Sequence, residues 1–347
     1  MNNFLICVVV AGYNVGKYLD RFFNSLISQT FQAFKIIFVY DKSGDDTYAV
    51  LLRFQKILGK EKLEIISNDK KRGLGAARNV GLDDGHFPDT CRYLSYLDPD
   101  DYVQPSYFAS LFEAAEAHSS DITFCGFSRV DEDSKKVLSI DMVHNSNGEP
   151  LWRKRTDTFM FNPAVWNKMY RYSKIKDIRF DPIPRSEDVI YFVRCFHAID
   201  TVYFVNEPLY MYSVRLGSLA TTYSLGHFQP LRESYSHFVS SLSSGACEID
   251  TYIGFAFLRV CIGAIIRIYQ FDKKSLKPAI KESMAFMNAT FPKWKKSRIF
   301  SFGYCKKLGK KAILLRWAKI LFCSHLFGPF VRFYCFFIKR VKKEIRW

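Results

Sequence analysis

Short apolar runs alternate with amphipathic stretches through the first 130 residues. Phe4-Leu-Ile-Cys-Val-Val-Val10 is β-rich and apolar throughout, the pattern of a strand covered on both faces. It lacks a basic flank and is too short to span a bilayer, so it reads as a strand and not a signal peptide. Tyr18, Leu19, Phe22, Phe23, Leu26 and Ile27 then recur at helical spacing. Further strands are expected at Lys35 to Val39, Leu63 to Ser67, Tyr93 to Leu97 and Asp121 to Phe127. Helices are expected at Ala49 to Leu58 and Gly75 to Leu82. Another follows Pro105, with Phe108, Leu111, Phe112 and Ala115 on one face. The alternation predicts an α/β fold, a Rossmann-like and mostly parallel sheet flanked by helices. Residues 128–165 are polar and irregular. From about 230 the β signals fade, and Ser234 to Leu242 and Ile249 to Phe271 read as helices.

In such sheets ligands bind beyond the carboxyl ends of the strands. Ala11-Gly-Tyr-Asn14 follows the first strand, Asp41 the second and Asp98-Pro-Asp-Asp101 the fourth. Three carboxylates within four residues repel one another unless a cation or donors compensate, and their hard oxygens suit magnesium or manganese. The alternative is an acidic turn that caps the next helix. Gly12 to Tyr18 is one residue short of a phosphate loop and has Tyr18 where Ser or Thr must reach the metal. Gly73-Leu-Gly75 has Arg78 in place of the third glycine of a dinucleotide fingerprint. The seven histidines never fall in a paired ligand spacing.

The order and spacing of several segments resemble the nucleotide-sugar-dependent glycosyltransferases of family 2, with the GT-A fold. They are Val8-Val-Val-Ala-Gly-Tyr-Asn14, Tyr18-Leu19, Ser28-Gln-Thr-Phe31, Ile36-Ile-Phe-Val-Tyr-Asp-Lys-Ser-Gly-Asp-Asp-Thr47, Gly73-Leu-Gly-Ala-Ala-Arg-Asn-Val-Gly81 and Tyr96-Leu-Asp-Pro-Asp-Asp-Tyr102. Trp166-Asn-Lys-Met-Tyr170, Arg179-Phe180, Glu187-Asp-Val189, Leu209-Tyr-Met-Tyr212, Arg215 and Gly217-Ser218 continue it, over about 215 residues. The likeness is to the bacterial branch that builds capsule, exopolysaccharide or lipopolysaccharide chains.

The resemblance implies roles for particular residues. Tyr13 packs on the nucleotide base, and Asp41 accepts a hydrogen bond from the base's ring nitrogen, which favours uracil. Asp98 lies near the ribose and metal, and Asp100 ligates a Mn2+ or Mg2+ on the diphosphate. Asp101 and Arg78 belong to the nucleotide-sugar site, and Asp188, beside Glu187, is the general base for the acceptor hydroxyl. Arg78 and Lys71 are candidates to assist the leaving diphosphate, although the usual exposure of such residues makes each a surface charge. From the residues alone, Glu187-Asp188 also reads as an acid pair stabilising a helix N-terminus. Three positions depart from the family: Ala11 for Pro, Tyr40 for the first of two acids, and Lys42 for Gly.

The implied activity is that of an inverting, metal-dependent, hexosyltransferase-type glycosyltransferase. It moves a sugar from a UDP-sugar to a saccharide, lipid-linked acceptor in cell-surface polysaccharide biosynthesis. A catalytically degenerate nucleotide-sugar-binding protein of the same fold is the alternative that Tyr40 and Lys42 motivate.

Composition changes this picture at the C-terminus. The 347-residue chain has a net charge of +16, yet residues 293–347 hold 16 Lys/Arg and one acid, Glu344. Residues 1–292 therefore hold 34 basic and 33 acidic residues. On a helical wheel Phe330, Phe333, Tyr334, Phe337, Ile338, Val341 and Ile345 share one face, opposite Arg332, Lys339, Lys343 and Arg346. That pattern predicts helices lying on an anionic membrane surface. Packing of the same apolar face in a soluble core is the alternative. A nucleic-acid-binding tail is a further one, but no RNA- or DNA-binding motif accompanies it. The expected organisation is a catalytic domain over 1–230, a helical region over 231–292 and a basic amphipathic tail over 293–347. Removal of the tail is expected to free the chain from membranes and to spare donor binding. The nine cysteines include no pair separated by two residues and read as free thiols. Together these features imply a cytoplasmic enzyme held peripherally at the inner face of a bacterial inner membrane.

Overall fold

The computed structural model describes residues 3–69, 73–141, 161–181, 187–215, 225–240 and 246–341. They fall into two units, one built on a sheet and one made of helices.

The sheet unit runs β1 (Ile6–Gly12), α1 (Gly16–Ile27), β2 (Phe34–Asp41), α2 (Thr47–Leu58), β3 (Leu63–Asn68), α3 (Leu74–Asp83) and β4 (Tyr93–Leu97). It continues with β5 (Tyr102–Val103), α4 (Tyr107–Ala117), β6 (Ile122–Asp131), β7 (Val137–Asp141), β8 (Lys168–Arg171), α5 (Tyr172–Ile175), α6 (Glu187–Ala198) and β9 (Val202–Val214). The strand order is β3-β2-β1-β4-β8-β6-β9-β5, with β7 on β6. The expected parallel run is β3-β2-β1-β4, in which Val8 lies opposite Ile36 and Ser95. Beyond it β8 pairs antiparallel with both β4 and β6, and β9 runs parallel to β6, so the whole sheet is mixed.

Alternation along β1 decides the layers. Ile6, Val8 and Val10 join Leu19, Phe22 and Phe23 of α1, Leu51 and Phe54 of α2, and Phe108 and Leu111 of α4 in one core. Phe23 stacks on Phe54 with ring centroids 4.6 Å apart. The other face carries Val9 and Ala11, and α3 lies on it. There a Cβ at Gly81 would stand 2.8 Å from Val9 and 3.1 Å from Val39, so glycine permits the close approach. Each fully buried Val, Ile or Phe contributes about 1.5–3 kcal/mol relative to exposure. The α6 helix joins this second face through Tyr191, whose hydroxyl is 2.6 Å from that of Tyr96 on β4.

The helical unit contains α7 (Leu225–Ser240), α8 (Ala246–Ala256), a π-helical segment (Phe257–Ala264), α9 (Ile265–Phe271), α10 (Leu276–Thr290), α11 (Phe302–Leu308), α12 (Lys310–Phe322) and α13 (Phe327–Val341). The stretch Ile249–Phe271 is long and apolar enough to cross a membrane, but it is mostly buried inside this unit. Phe257 meets the rings of Trp294, Phe300 and Phe322 at 5.1–5.7 Å, which ties residues 293–341 to the preceding helices. Cys7, Cys91, Cys125, Cys195, Cys261, Cys305, Cys323 and Cys335 are free thiols.

Candidate active site

The carboxyl ends of β1 to β4 lie side by side, because the four strands are parallel and in register. At the end of β1, Tyr13 is exposed and Asn14 adopts the left-handed backbone, φ 52°. That turn is clasped to the β2–α2 loop. The Asn14 N–H donates to Ser43 Oγ (2.9 Å), and the Gly44 N–H donates to Asn14 Oδ1 (3.1 Å). Tyr40, near the end of β2, supports the same loop: its hydroxyl accepts from the Ser43 N–H (3.1 Å) and its ring rests against Tyr48. Asp41 is buried, and its Oδ1 accepts from Asn68 Nδ2 at 2.6 Å. Asn68 is opposite Asp41 in the β2–β3 register, so strand pairing alone brings the two together.

The turn after β4 separates its three acids by environment. Asp101 is buried, and both its oxygens accept from β9: Oδ2 from the Tyr210 hydroxyl and Oδ1 from the Ser213 N–H, each 2.7 Å. Burial, and then the charges of Asp100 and Asp98, push it well above the ordinary carboxylate range. Asp100 lies 2.7 Å from the Arg215 guanidinium. Burial and the adjacent Asp98 raise its pKa, with Arg215 acting the other way. The turn is held from outside by Arg21 of α1, which donates to the Asp100 carbonyl (2.8 Å) and Ser213 Oγ (2.9 Å) and pairs with Glu132 (2.9 Å).

Asp98 faces the opposite way, to Arg78 on α3, at 2.7 Å. The expectation of a surface charge at Arg78 is overturned, since the residue is 2% exposed. Burial disfavours its charge, but Asp98 and Glu187 outweigh that and raise its pKa. Glu187 lies 3.7 Å from the same guanidinium. Its carboxyl is pushed up to about 7, by burial first and then by the like charge of Asp188. The acid pair does open α6, in its first turn, and Asp188 Oδ1 accepts from the Val189 N–H at 2.8 Å. The helix-terminus reading and the site reading therefore describe the same residues. Gly75 makes room for them: a Cβ there would stand 3.0 Å from Glu187 Cγ and 3.1 Å from Phe180 Cβ. Next to Arg78, Asn79 exchanges two hydrogen bonds with the backbone of Phe180 (2.8 and 2.9 Å). That clasp fixes the Phe180 ring, which stacks on Tyr191 at 3.9 Å.

Under α6, Lys168 is fully buried between the rings of Phe124 and Phe192 and donates to Asn167 Oδ1 (2.8 Å). Burial pushes its pKa down to about 7, while Cys125 and Asp188 act in the opposite direction.

The structure thus brings Asp98, Asp100, Arg78 and Glu187 into one charged network, with Asp188 adjacent in sequence and charge. Tyr13 and Asp41 stand at the neighbouring strand ends. Lys71 lies outside the described residues. Among the described residues no group of three or more His, Cys, Asp or Glu has the arrangement of a metal site. Sequence reasoning gave no role to Asn68, Arg21, Asn79, Lys168 or Arg215. The last three sit inside quoted motifs, so a signal existed, but the partners of Asn79 and Arg215, and the rings that enclose Lys168, are remote in sequence.

Comparison with known proteins adds to this geometry. The sequence model of Glycosyl transferase family 2 matches residues 7–180. The chain is 26% identical over 263 residues to the putative glycosyltransferase EpsH of Bacillus subtilis (strain 168), covering 72% of this chain and 74% of that protein. It is 22% identical over 293 residues to the succinoglycan biosynthesis protein ExoO of Rhizobium meliloti (strain 1021), covering 81% of each. Among solved structures, TarS 1–349 of S. aureus in complex with UDP-GlcNAc aligns with a TM-score of 0.64 at 16% identity, covering 98% of this chain and 93% of that one. The mannosyltransferase PcManGT of Pyrobaculum calidifontis, in complex with GDP-Man and Mn2+, aligns with a TM-score of 0.55 at 12% identity, covering 98% and 88%.

Proposed function

The chain belongs to glycosyl transferase family 2 and is a glycosyltransferase with the GT-A fold, and from that premise we propose that it transfers a sugar, with inversion, from a UDP-sugar to a saccharide acceptor. The observation that carries the reading is the burial of Arg78 between Asp98, at the end of β4, and Glu187, at the start of α6. One cation ties the acids of the donor end to the acids of the acceptor end.

On this reading the exposed ring of Tyr13 covers the base. Asn68 holds one oxygen of Asp41, which turns the carboxylate to accept from a ring N–H, as uracil offers. Asp101 is a positioning residue: its bonds to β9 set the turn that presents Asp98 and Asp100. The hard oxygens of those two acids fit Mn2+ or Mg2+, because a divalent cation relieves the like-charge repulsion that raises Asp100. Such a cation, when bound, offsets the negative charge that the diphosphate leaving group develops. Asp188 takes the proton of the acceptor hydroxyl as that oxygen attacks the anomeric carbon. A base of this kind contributes about 10²–10⁴-fold. One base acting without a covalent intermediate gives inversion. The relative named for succinoglycan biosynthesis supports a saccharide acceptor in cell-surface polysaccharide assembly, and on this reading that acceptor is lipid-linked. The site of action would be the cytoplasmic face of the bacterial inner membrane.

A donor panel tests the proposal. UDP- and GDP-sugars are offered to the full chain with manganese, magnesium or chelator, and nucleotide release is measured. Release from a UDP-sugar that stops in chelator is the expected result. Turnover of GDP-sugars, or full activity in chelator, overturns the donor or metal assignment.

A further inference from the structure

The wheel over 330–346 suggests one apolar face, but α13 has two. Phe327, Val331 and Cys335, spaced by four, are buried against α9, α10 and α12. Phe333, Phe336 and Phe337 are 68%, 61% and 55% exposed, beside the exposed Arg332. The preceding helix repeats the arrangement. Ala312, Leu315, Ala318 and Phe322 of α12 are buried, while Leu314 and Trp317 are 56% and 59% exposed, a turn or two beyond exposed Lys310. Two helices that pack on each other thus satisfy the core with one stripe and turn large apolar side chains outward with another. No acid lies between residues 293 and 343.

We propose that the outward faces of α12 and α13 seat on an anionic lipid bilayer, with Trp317, Phe333 and Phe337 entering the interface and the surrounding Lys and Arg held at the headgroups. This deepens the membrane part of the reading above and depends on neither the donor nor the base. Amphipathic helices with aromatics on one side and basic residues around them bind interfaces in this way. Charge complementarity selects the occupant. A second copy would bring an equally basic segment against this one. A polynucleotide would match the charge, but it has no use for Leu314 beside the rings, whereas acyl chains take both. The ordinary monomer surface carries such residues singly, not as repeated stripes on successive helices.

Deletion of 293–347 is not a clean test, because Trp294, Phe300 and Phe322 pack on Phe257 and their loss would open the helical unit. The test is the full chain carrying Trp317→Ser, Phe333→Ser and Phe337→Ser together, all at exposed positions. Co-sedimentation is measured with phosphatidylcholine vesicles with and without 30% phosphatidylglycerol, alongside UDP binding and the melting temperature. The parent should bind the anionic vesicles and lose binding as salt rises. The triple variant should bind at least about 100-fold more weakly, with melting and UDP binding unchanged. Equal vesicle binding by the two proteins overturns the proposal. So does a parent that binds single-stranded polynucleotide, or self-associates, without binding vesicles. Loss of UDP binding by the parent itself would count against the donor site and leave the vesicle result to decide the surface.

Discussion

The guanidinium of Arg78 lies 2.7 Å from the Asp98 carboxylate, with only 3% of the arginine side chain exposed. Removing one member of such a buried pair leaves the other charge without compensation. Arg78→Met should lower stability by about 3 kcal/mol, measured by urea denaturation at pH 7. The loss should shrink at pH 5, where protonation of Glu187 removes one of the charges that Arg78 offsets. Arg78→Lys keeps the charge but loses the fork that spans both acids, so it should retain most of the stability and little of the transfer.

Asp100→Asn separates a metal-binding acid from a structural one. Asp100 is held above its unfolded pKa by burial and by Asp98. Its contribution to stability is therefore full below the unfolded pKa and is lost as pH rises through the folded one. The amide should melt no lower than the parent at neutral pH, while transfer falls by about 100-fold or more. A lower melting temperature with transfer retained would make the acidic turn a purely structural device.

Asp188→Asn should reduce turnover by about 100-fold or more and leave UDP-sugar affinity nearly intact. Collapse of donor affinity instead would move Asp188 to the donor site. Greater damage from Glu187→Gln would exchange the two roles.

Glu187 gives the pair a pH signature. Its carboxyl is raised to about 7, so its contribution to stability is full below the ordinary carboxylate range and is lost as pH climbs through about 7. Once ionised, it also strengthens Asp188 as a base. Turnover should rise with pH through about 7 in the parent, and Glu187→Gln should flatten both that limb and the slope of stability between about pH 5 and 7. A parallel slope in the variant would assign the titration elsewhere.

Asp41→Ala should weaken UDP binding by about tenfold or more and blur discrimination among bases, because a ring N–H would be left buried without its acceptor. Asn68→Ala should give a smaller effect of the same kind, as it removes a donor that orients Asp41 from 2.6 Å. Competition between UDP and GDP measures both. Equal competition on the parent would contradict the uracil assignment and direct attention to Tyr40.

The first half of the fold was legible because each element there carries its own period. The run from Ile6 to Val10 has no polar interruption, and α1 repeats Tyr18, Leu19, Phe22, Phe23 and Leu26 on one side. Short apolar runs between amphipathic helices leave parallel pairing as the way to cover both sheet faces. The strand-end acids were legible too, since a parallel sheet puts such ends together. The long β9 was not: Asn206-Glu207-Pro208 breaks its alternation, and the strand survives only because its register on β6 shifts there. Arg78 reads in sequence as an exposed charge. Only tertiary structure could bury it, by supplying acids from positions 98 and 187, and a buried arginine is tolerable only when it is paired. The wheel already put Phe333 and Phe337 on one apolar face, but whether that face turned outward was undecided for a related reason. A helix with apolar residues on two sides shows which positions avoid water, but not which side finds a protein neighbour. That choice depends on α9, α10 and α12, whose placement no local pattern encodes.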